Sequence, residues 1–172
     1  MTVFTKQITL NKSQKEVWNI VSDLGAIYKF HPGVKKSYYT TISLDTIGAA
    51  RICELYPSGK ILETVVEWRN NRGFLLQIEP IEKAPPVKNF TGKFELSEFN
   101  ENHTKVSLTI SYEMKLGALG KLLNKIIIQS KMEEGIDALL SGLKMYAEMG
   151  IEINDEKHLE EVYLKYKNTN NN

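Results

Sequence analysis

The sequence predicts an α+β fold in which one seven-stranded antiparallel sheet is covered by a single long helix. Between residues 34 and 115, strand-like segments follow one another across turns too short to hold helices. After Gly117, apolar residues recur every three or four positions as far as Ala147. The 172 residues amount to about one domain.

The first strand is residues 3–10, where Phe4, Ile8 and Leu10 share one side. Ser13 and Glu16 form a capping-box pattern at the head of a short helix with Val17, Ile20, Val21 and Leu24 on its apolar face. A second short helical turn through Ile27, Tyr28 and Phe30 ends at Pro32-Gly33. Six strands follow at 34–44, 48–56, 60–69, 73–79, 88–97 and 103–115, and the β-branched runs Thr64-Val65-Val66 and Val106 to Tyr112 suit them. The long helix spans 118–148, with Gly135 marking either a kink or a close contact. These elements make a domain over 1–148. Residues 149–172 form an appendage: an amphipathic stretch at 155–167, with Leu159, Val162, Tyr163 and Tyr166 on one face, and a polar tail.

Composition narrows the function. Lys and Arg exceed Asp and Glu by 22 to 21, so the net charge of +1 offers no field for nucleic acid. The longest apolar run, Ile126 to Ile128, is far short of a membrane span, and the first residues lack a signal-peptide pattern, so a cytoplasmic location is expected. Cys53 is the one cysteine, and His31, His103 and His158 lack ligand spacing, so neither a disulfide nor a metal site is expected. No phosphate-loop, dinucleotide, zinc-protease or serine-hydrolase motif occurs, and no cofactor is called for. A strongly twisted sheet wrapped around one helix leaves a cavity wherever side chains fail to fill the gap.

At this point the chain resembles the START-like (SRPBCC) helix-grip superfamily, which includes the Bet v 1-like birch-pollen allergen fold, polyketide cyclases/dehydrases and the plant abscisic-acid receptors. The resemblance covers residues 3–148. It is carried by Glu16-Val17-Trp18 leading to Asp23, Tyr28-Lys29-Phe30-His31-Pro32, Gly48-Ala49-Ala50-Arg51, Ser58-Gly59, Leu62-Glu63, and Gly142 to Ala147 at the end of the long helix. It implies a helix-grip fold around a hydrophobic-ligand pocket, with Lys29 and Glu63 at positions that point inward in the hormone receptors. The turn Pro57-Ser58-Gly59 stands in the place of their gate but is short. The receptors' histidine-arginine-leucine latch is absent from 79–90, which argues against recognition of that hormone.

The pocket wall is accordingly assigned to Lys29, Glu63, Val65, Phe90, Tyr112, Leu139 and Leu143. Pro57, Ser58 and Gly59 are the gate, and entry runs between that turn and the Pro80 to Pro86 loop. An interior Glu63 needs Lys29, Arg51 or a ligand group as partner, or a raised pKa. Its alternate positions also include Glu67 and Arg69, a mixed face. His31 reads as a turn residue, Cys53 and Trp68 as packing, and Ser130 and Glu133 as either pocket wall or solvated flank. The function expected is binding of a small hydrophobic or amphipathic molecule, lipid, polyketide or isoprenoid-like, for transport, sequestration or sensing. The alternative is a cyclase/dehydrase-like enzyme in which Glu63 or Tyr112 moves a proton. The apolar face of 155–167 offers a site for another protein or for a second copy, as in a homodimer.

Overall fold

The computed structural model describes residues 1–115, 127–153, 155 and 157–161. In chain order the elements are β1 (Thr2–Leu10), α1 (Gln14–Val21), a 3-10 helix (Leu24–Lys29), β2 (Val34–Tyr39), β3 (Ala50–Leu55), β4 (Lys60–Arg69), β5 (Gly73–Glu82), β6 (Val87–Asn100), β7 (His103–Met114) and α2 (Gln129–Met149). The strands form one antiparallel sheet in the order β1-β7-β6-β5-β4-β3-β2. Consecutive strands are therefore neighbours from β2 to β7, and β1 closes the far edge. This is the helix-grip architecture. Of the helix expected at 118–148, residues 118–126 lie outside the described residues, as do Val162, Tyr163 and Tyr166 of the appendage.

α1 begins as its sequence dictates: Ser13 Oγ accepts from the Glu16 backbone N–H while the Glu16 carboxylate accepts from the Ser13 N–H. The inward stripe of α2, with Leu139, Leu140, Leu143 and Ala147 buried, lies over the sheet's apolar face.

Three departures from regular pairing shape the interior. β2 was expected to reach residue 44 but ends at Tyr39, because Thr41 Oγ1 takes the Ala50 N–H and itself bonds the Ser43 carbonyl; a side chain there replaces the ladder. In β4 the register shifts between Val65 and Glu67, so Val66 is the inserted residue of a bulge. Glu63 and Val65 face inward before it and Trp68 after it, while Glu67 and Arg69 are exposed, which resolves the mixed face. A third shift lies in β6 between Lys88 and Thr91, where Asn89 adopts a φ of 50°. There the β5–β6 pairing ends at Ile78 opposite Phe90, while β5 runs on to Glu82 against β4 alone. Pro80, with no N–H to donate, sits in that one-sided stretch.

One end of the interior is packed by rings. Trp18 meets Trp68 edge-on at 5.0 Å, Trp68 stacks on Phe74 at 5.7 Å, and Phe74 stacks on Phe94 at 5.1 Å. At Gly142, α2 is drawn tight against the end of the 3-10 helix: a Cβ there would stand 2.1 Å from the Phe30 carbonyl oxygen. Beyond Gly150 the chain turns back. The Ile153 N–H bonds the Lys29 carbonyl at 2.8 Å, and Ile153 and Leu159 pack on Met145. No helix among the described residues is long and apolar enough to cross a membrane.

The two helix glycines have opposite roles. Nothing lies within 4 Å of a Cβ built on Gly135, so neither a close contact nor crowding requires it. Gly135→Ala is expected to stabilise the protein by about 1 kcal/mol, through helix propensity. Gly142→Ala is expected to destabilise it by about 1–3 kcal/mol through overpacking. Urea unfolding of the two variants checks the contrast.

Candidate functional site: a two-chambered apolar cavity

The cavity sits between the sheet and α2, next to the aromatic stack, whose last ring, Phe94, forms part of its wall. An inner chamber of about 110 Å³ is walled by Leu76, Ile78, Gly92, Phe94 and Leu108 from the sheet, Ile27 from the 3-10 helix and Leu139 from α2. An outer chamber of about 300 Å³ is bounded by Tyr56, Pro85, Lys131, Met132 and Gly135. His31, Leu55, Ile61, Phe90, Ile110 and Ile136 line both, and so mark where the two meet. The opening follows from the pairing described above: where β6 leaves β5 at Phe90, no strand closes the gap between Tyr56 and Pro85.

Polar groups of the inner chamber cluster on β3 and β4. Arg51 lies directly across from Glu63 in the ladder, and its Nε donates to Glu63 Oε2 at 2.6 Å. Its Nη1 donates to the Leu24 carbonyl, tying the pair to the 3-10 helix. Both side chains are almost wholly buried. Burial is the largest single influence and works against the Arg51 charge, but the attraction and hydrogen bond of Glu63, with smaller contributions from Cys53 and Tyr39, together outweigh it and raise the guanidinium's pKa. The Cys53 thiol also donates to Glu63 Oε2, at 3.3 Å. Burial and the adjoining carboxylate push that thiol up to about 12, so it stays protonated.

His31 is part-buried, with its Nδ1 accepting the Gly33 N–H at 3.1 Å; a neutral ring then carries its proton on Nε2. Burial lowers its pKa to about 4, with Glu63 opposing and Arg51 adding to the shift. The ring is therefore uncharged at neutral pH.

Of the residues assigned from sequence, Glu63, Phe90 and Leu139 line the inner chamber. Val65, Tyr112 and Leu143 lie deeper, fully packed in the core, with Tyr112 edge-on to Phe90 at 6.3 Å. Lys29 is not among the lining residues: its ammonium sits 3.3 Å from the Glu152 carboxylate on the outside of the fold. In the gate turn, Pro57 borders a neighbouring surface groove with Asp155 and Lys157, Ser58 is exposed, and Gly59 abuts the Glu82 and Lys83 carbonyls. The side chain from this turn at the mouth is Tyr56. Glu133 pairs with Lys6 at 3.5 Å and Ser130 bonds Glu134 at 3.0 Å, both on the solvated flank.

Arg51, Cys53, His31, Tyr56 and Pro85 were not assigned to the wall. A usable signal was present for the first two. Arg51, Cys53 and Leu55 alternate on one face of β3, which places the arginine on the same side as an apolar pair. Among the described residues no group of three or more His, Cys, Asp or Glu could hold a metal ion.

Two outcomes test this electrostatic picture. Glu63→Gln strands a buried guanidinium and is expected to cost about 3–5 kcal/mol, whereas Arg51→Met combined with Glu63→Leu should recover most of that loss. Urea midpoints of the single and double variants decide it. For His31, the unfolded chain takes up a proton near pH 6.5 that the folded chain refuses until about 4. Stability is thus complete above pH 6.5 and falls on acidification towards 4, by at most about 3 kcal/mol. His31→Asn keeps an acceptor for the Gly33 N–H but cannot titrate, so its loss of stability between pH 7.5 and 5 should be smaller than that of the parent.

Comparison with solved structures finds the same fold at low identity. A START superfamily protein from Mycobacterium smegmatis aligns with a TM-score of 0.67 at 16% identity, covering 85% of this chain and 97% of that one. A protein from Thermus thermophilus gives 0.67 at 18%, again over 85% and 97%. The ZhuI aromatase/cyclase of a Streptomyces strain gives 0.64 at 10%, over 87% and 97%. No curated protein matches the sequence. The family model described as polyketide cyclase / dehydrase and lipid transport matches residues 1–148, and the chain belongs to that family.

Proposed function

We propose that this protein binds one small hydrophobic or amphipathic molecule in the cavity between sheet and α2, for transport, sequestration or sensing. The observation that carries the reading is that the two chambers adjoin, sharing six of their lining residues. An apolar interior with its polar groups at one end opens through a mouth between Tyr56, Pro85 and Gly135. Removing apolar ligand surface from water contributes about 25 cal/mol per Å² before ordering costs. Lipid, polyketide and isoprenoid-like guests all have the required character.

The cyclase/dehydrase reading has one observation in its favour, a neutral His31 in the same cavity as Glu63. It is the weaker reading. Glu63 is committed to Arg51, His31 is a poor base, and Tyr112 does not reach the chambers.

Gly92 provides the test. It lines the inner chamber, and an added Cβ meets Ile78 and Ile110 at ordinary contact distances of 3.4 and 3.6 Å. Gly92→Val should therefore fold while filling the space. The parent is expected to bind the neutral dye N-phenyl-1-naphthylamine saturably, one per chain, and the variant to bind it at least tenfold more weakly. Equal binding by both proteins, or none by the parent, refutes the cavity reading. Native mass spectrometry of freshly purified protein separates the two classes: a guest recovered unchanged after incubation marks a binder, and a mass-shifted product in excess of protein marks an enzyme.

A further inference from the structure

The polar end of the inner chamber has hydrogen-bonding capacity that the protein itself does not use. Arg51 spends Nε on Glu63 Oε2 and Nη1 on the Leu24 carbonyl, and Oε2 also receives the Cys53 thiol. Among the described residues no hydrogen bond reaches Glu63 Oε1 or Arg51 Nη2. Among the described residues, no side-chain nitrogen or oxygen that lacks a partner is sealed from solvent. Neither atom is therefore sealed, and the inner chamber is a space that both residues line. One is an acceptor and the other a donor. His31, coupled electrostatically to both residues, adds an Nε2–H with no partner at the boundary between the chambers.

Charge then restricts what can sit there. The guanidinium and the carboxylate already cancel, so a guest carboxylate or ammonium would bring an unmatched charge into an otherwise apolar wall. A wholly apolar guest would cover Oε1 and Nη2 without giving either a hydrogen-bond partner, which is also costly. A hydroxyl donates and accepts at once, and so matches the pair without disturbing its charge balance. Size agrees with a modest guest: a cavity of roughly 150 Å³ takes one benzene ring. The inner chamber thus has room for a polar head and little more, with the apolar body extending into the outer one.

Resting on the cavity reading above, we propose that the guest is an uncharged alcohol or phenol on a small apolar body, its hydroxyl donating to Glu63 Oε1 and accepting from Arg51 Nη2. The Arg51–Glu63 pair is then the determinant of specificity, selecting against carboxylates of the same shape.

Three probes of matched shape, para-propylphenol, propylbenzene and para-propylbenzoate, are competed against N-phenyl-1-naphthylamine on the parent and on the Arg51→Met/Glu63→Leu double variant. The expected result is that the parent binds the phenol at least tenfold more tightly than either other probe. In the double variant, whose fold is verified by its urea transition, the phenol and propylbenzene should come within about threefold of each other. Propylbenzene equal to or tighter than the phenol on the parent overturns the hydroxyl assignment, and a benzoate that binds tightest overturns the charge argument. A phenol preference that survives in the double variant removes the pair from recognition. If the dye binds but none of the three probes competes, the assignment falls while the cavity reading stands; if the dye also fails, both fall.

Discussion

The architecture depends on how closely α2 can approach the 3-10 segment that lies between α1 and β2. At Gly142 the approach is limited only by backbone: Phe30 and Gly142 touch, Phe30 stacks with Tyr146, and Leu143 is wholly buried. Two turns earlier the same helix presents Gly135, with open space beside it, and Ile136 and Met132, which face the chambers. At that end of α2 the space against the sheet is not filled by side chains. The aromatic stack of Trp18, Trp68, Phe74 and Phe94 fills the neighbouring part of the interior, and Phe94, its last ring, walls the hollow that remains. The same helix is thus held close to its neighbours at Gly142 and borders open space at Gly135.

Within that hollow, the Arg51–Glu63 pair is the costly feature. Two charges are held almost out of reach of water, and their mutual attraction only offsets desolvation when further hydrogen bonds complete the shell. Leu24 and Cys53 supply part of that shell. The bond to Leu24 also joins β3 to the 3-10 helix, so the pair fixes the position of the segment that carries Ile27 and His31 into the cavity. A hydrophobic pair in its place would pack as well but would hold that segment less specifically.

Much of the fold was legible because it rests on periodicity. Alternation located all seven strands, and the Ser13 and Glu16 pair located the start of α1. The site was legible only where alternation continued unbroken. Glu63 was recognisable as an interior candidate needing a cation, and Arg51 stood among its possible partners. What alternation cannot show is an inserted residue. The bulge at Val66 reverses the facing of everything after it, and the irregularity at Asn89 lets β6 part from β5. Both depend on pairing with a strand distant in sequence, as does the depth at which Tyr112 and Val65 come to lie. His31 was misleading for a related reason: it occupies a turn, and only the packing of that turn against β3 and α2 makes its ring part of a cavity wall.

Lys29 shows how a segment beyond the family match can alter the site. The match ends at residue 148, and shortly afterwards the chain folds back over the 3-10 helix, with Ile153 bonded to the Lys29 carbonyl and Glu152 beside its ammonium. That carboxylate holds the lysine's charge on the outside and raises its pKa. The resemblance to the hormone receptors implies an inward-pointing lysine at this place. Here the same residue type anchors the returning chain instead. With that cation held outside, the inner chamber has no charge that is not already matched by its neighbour, and its preference is decided by hydrogen-bond geometry rather than by net charge.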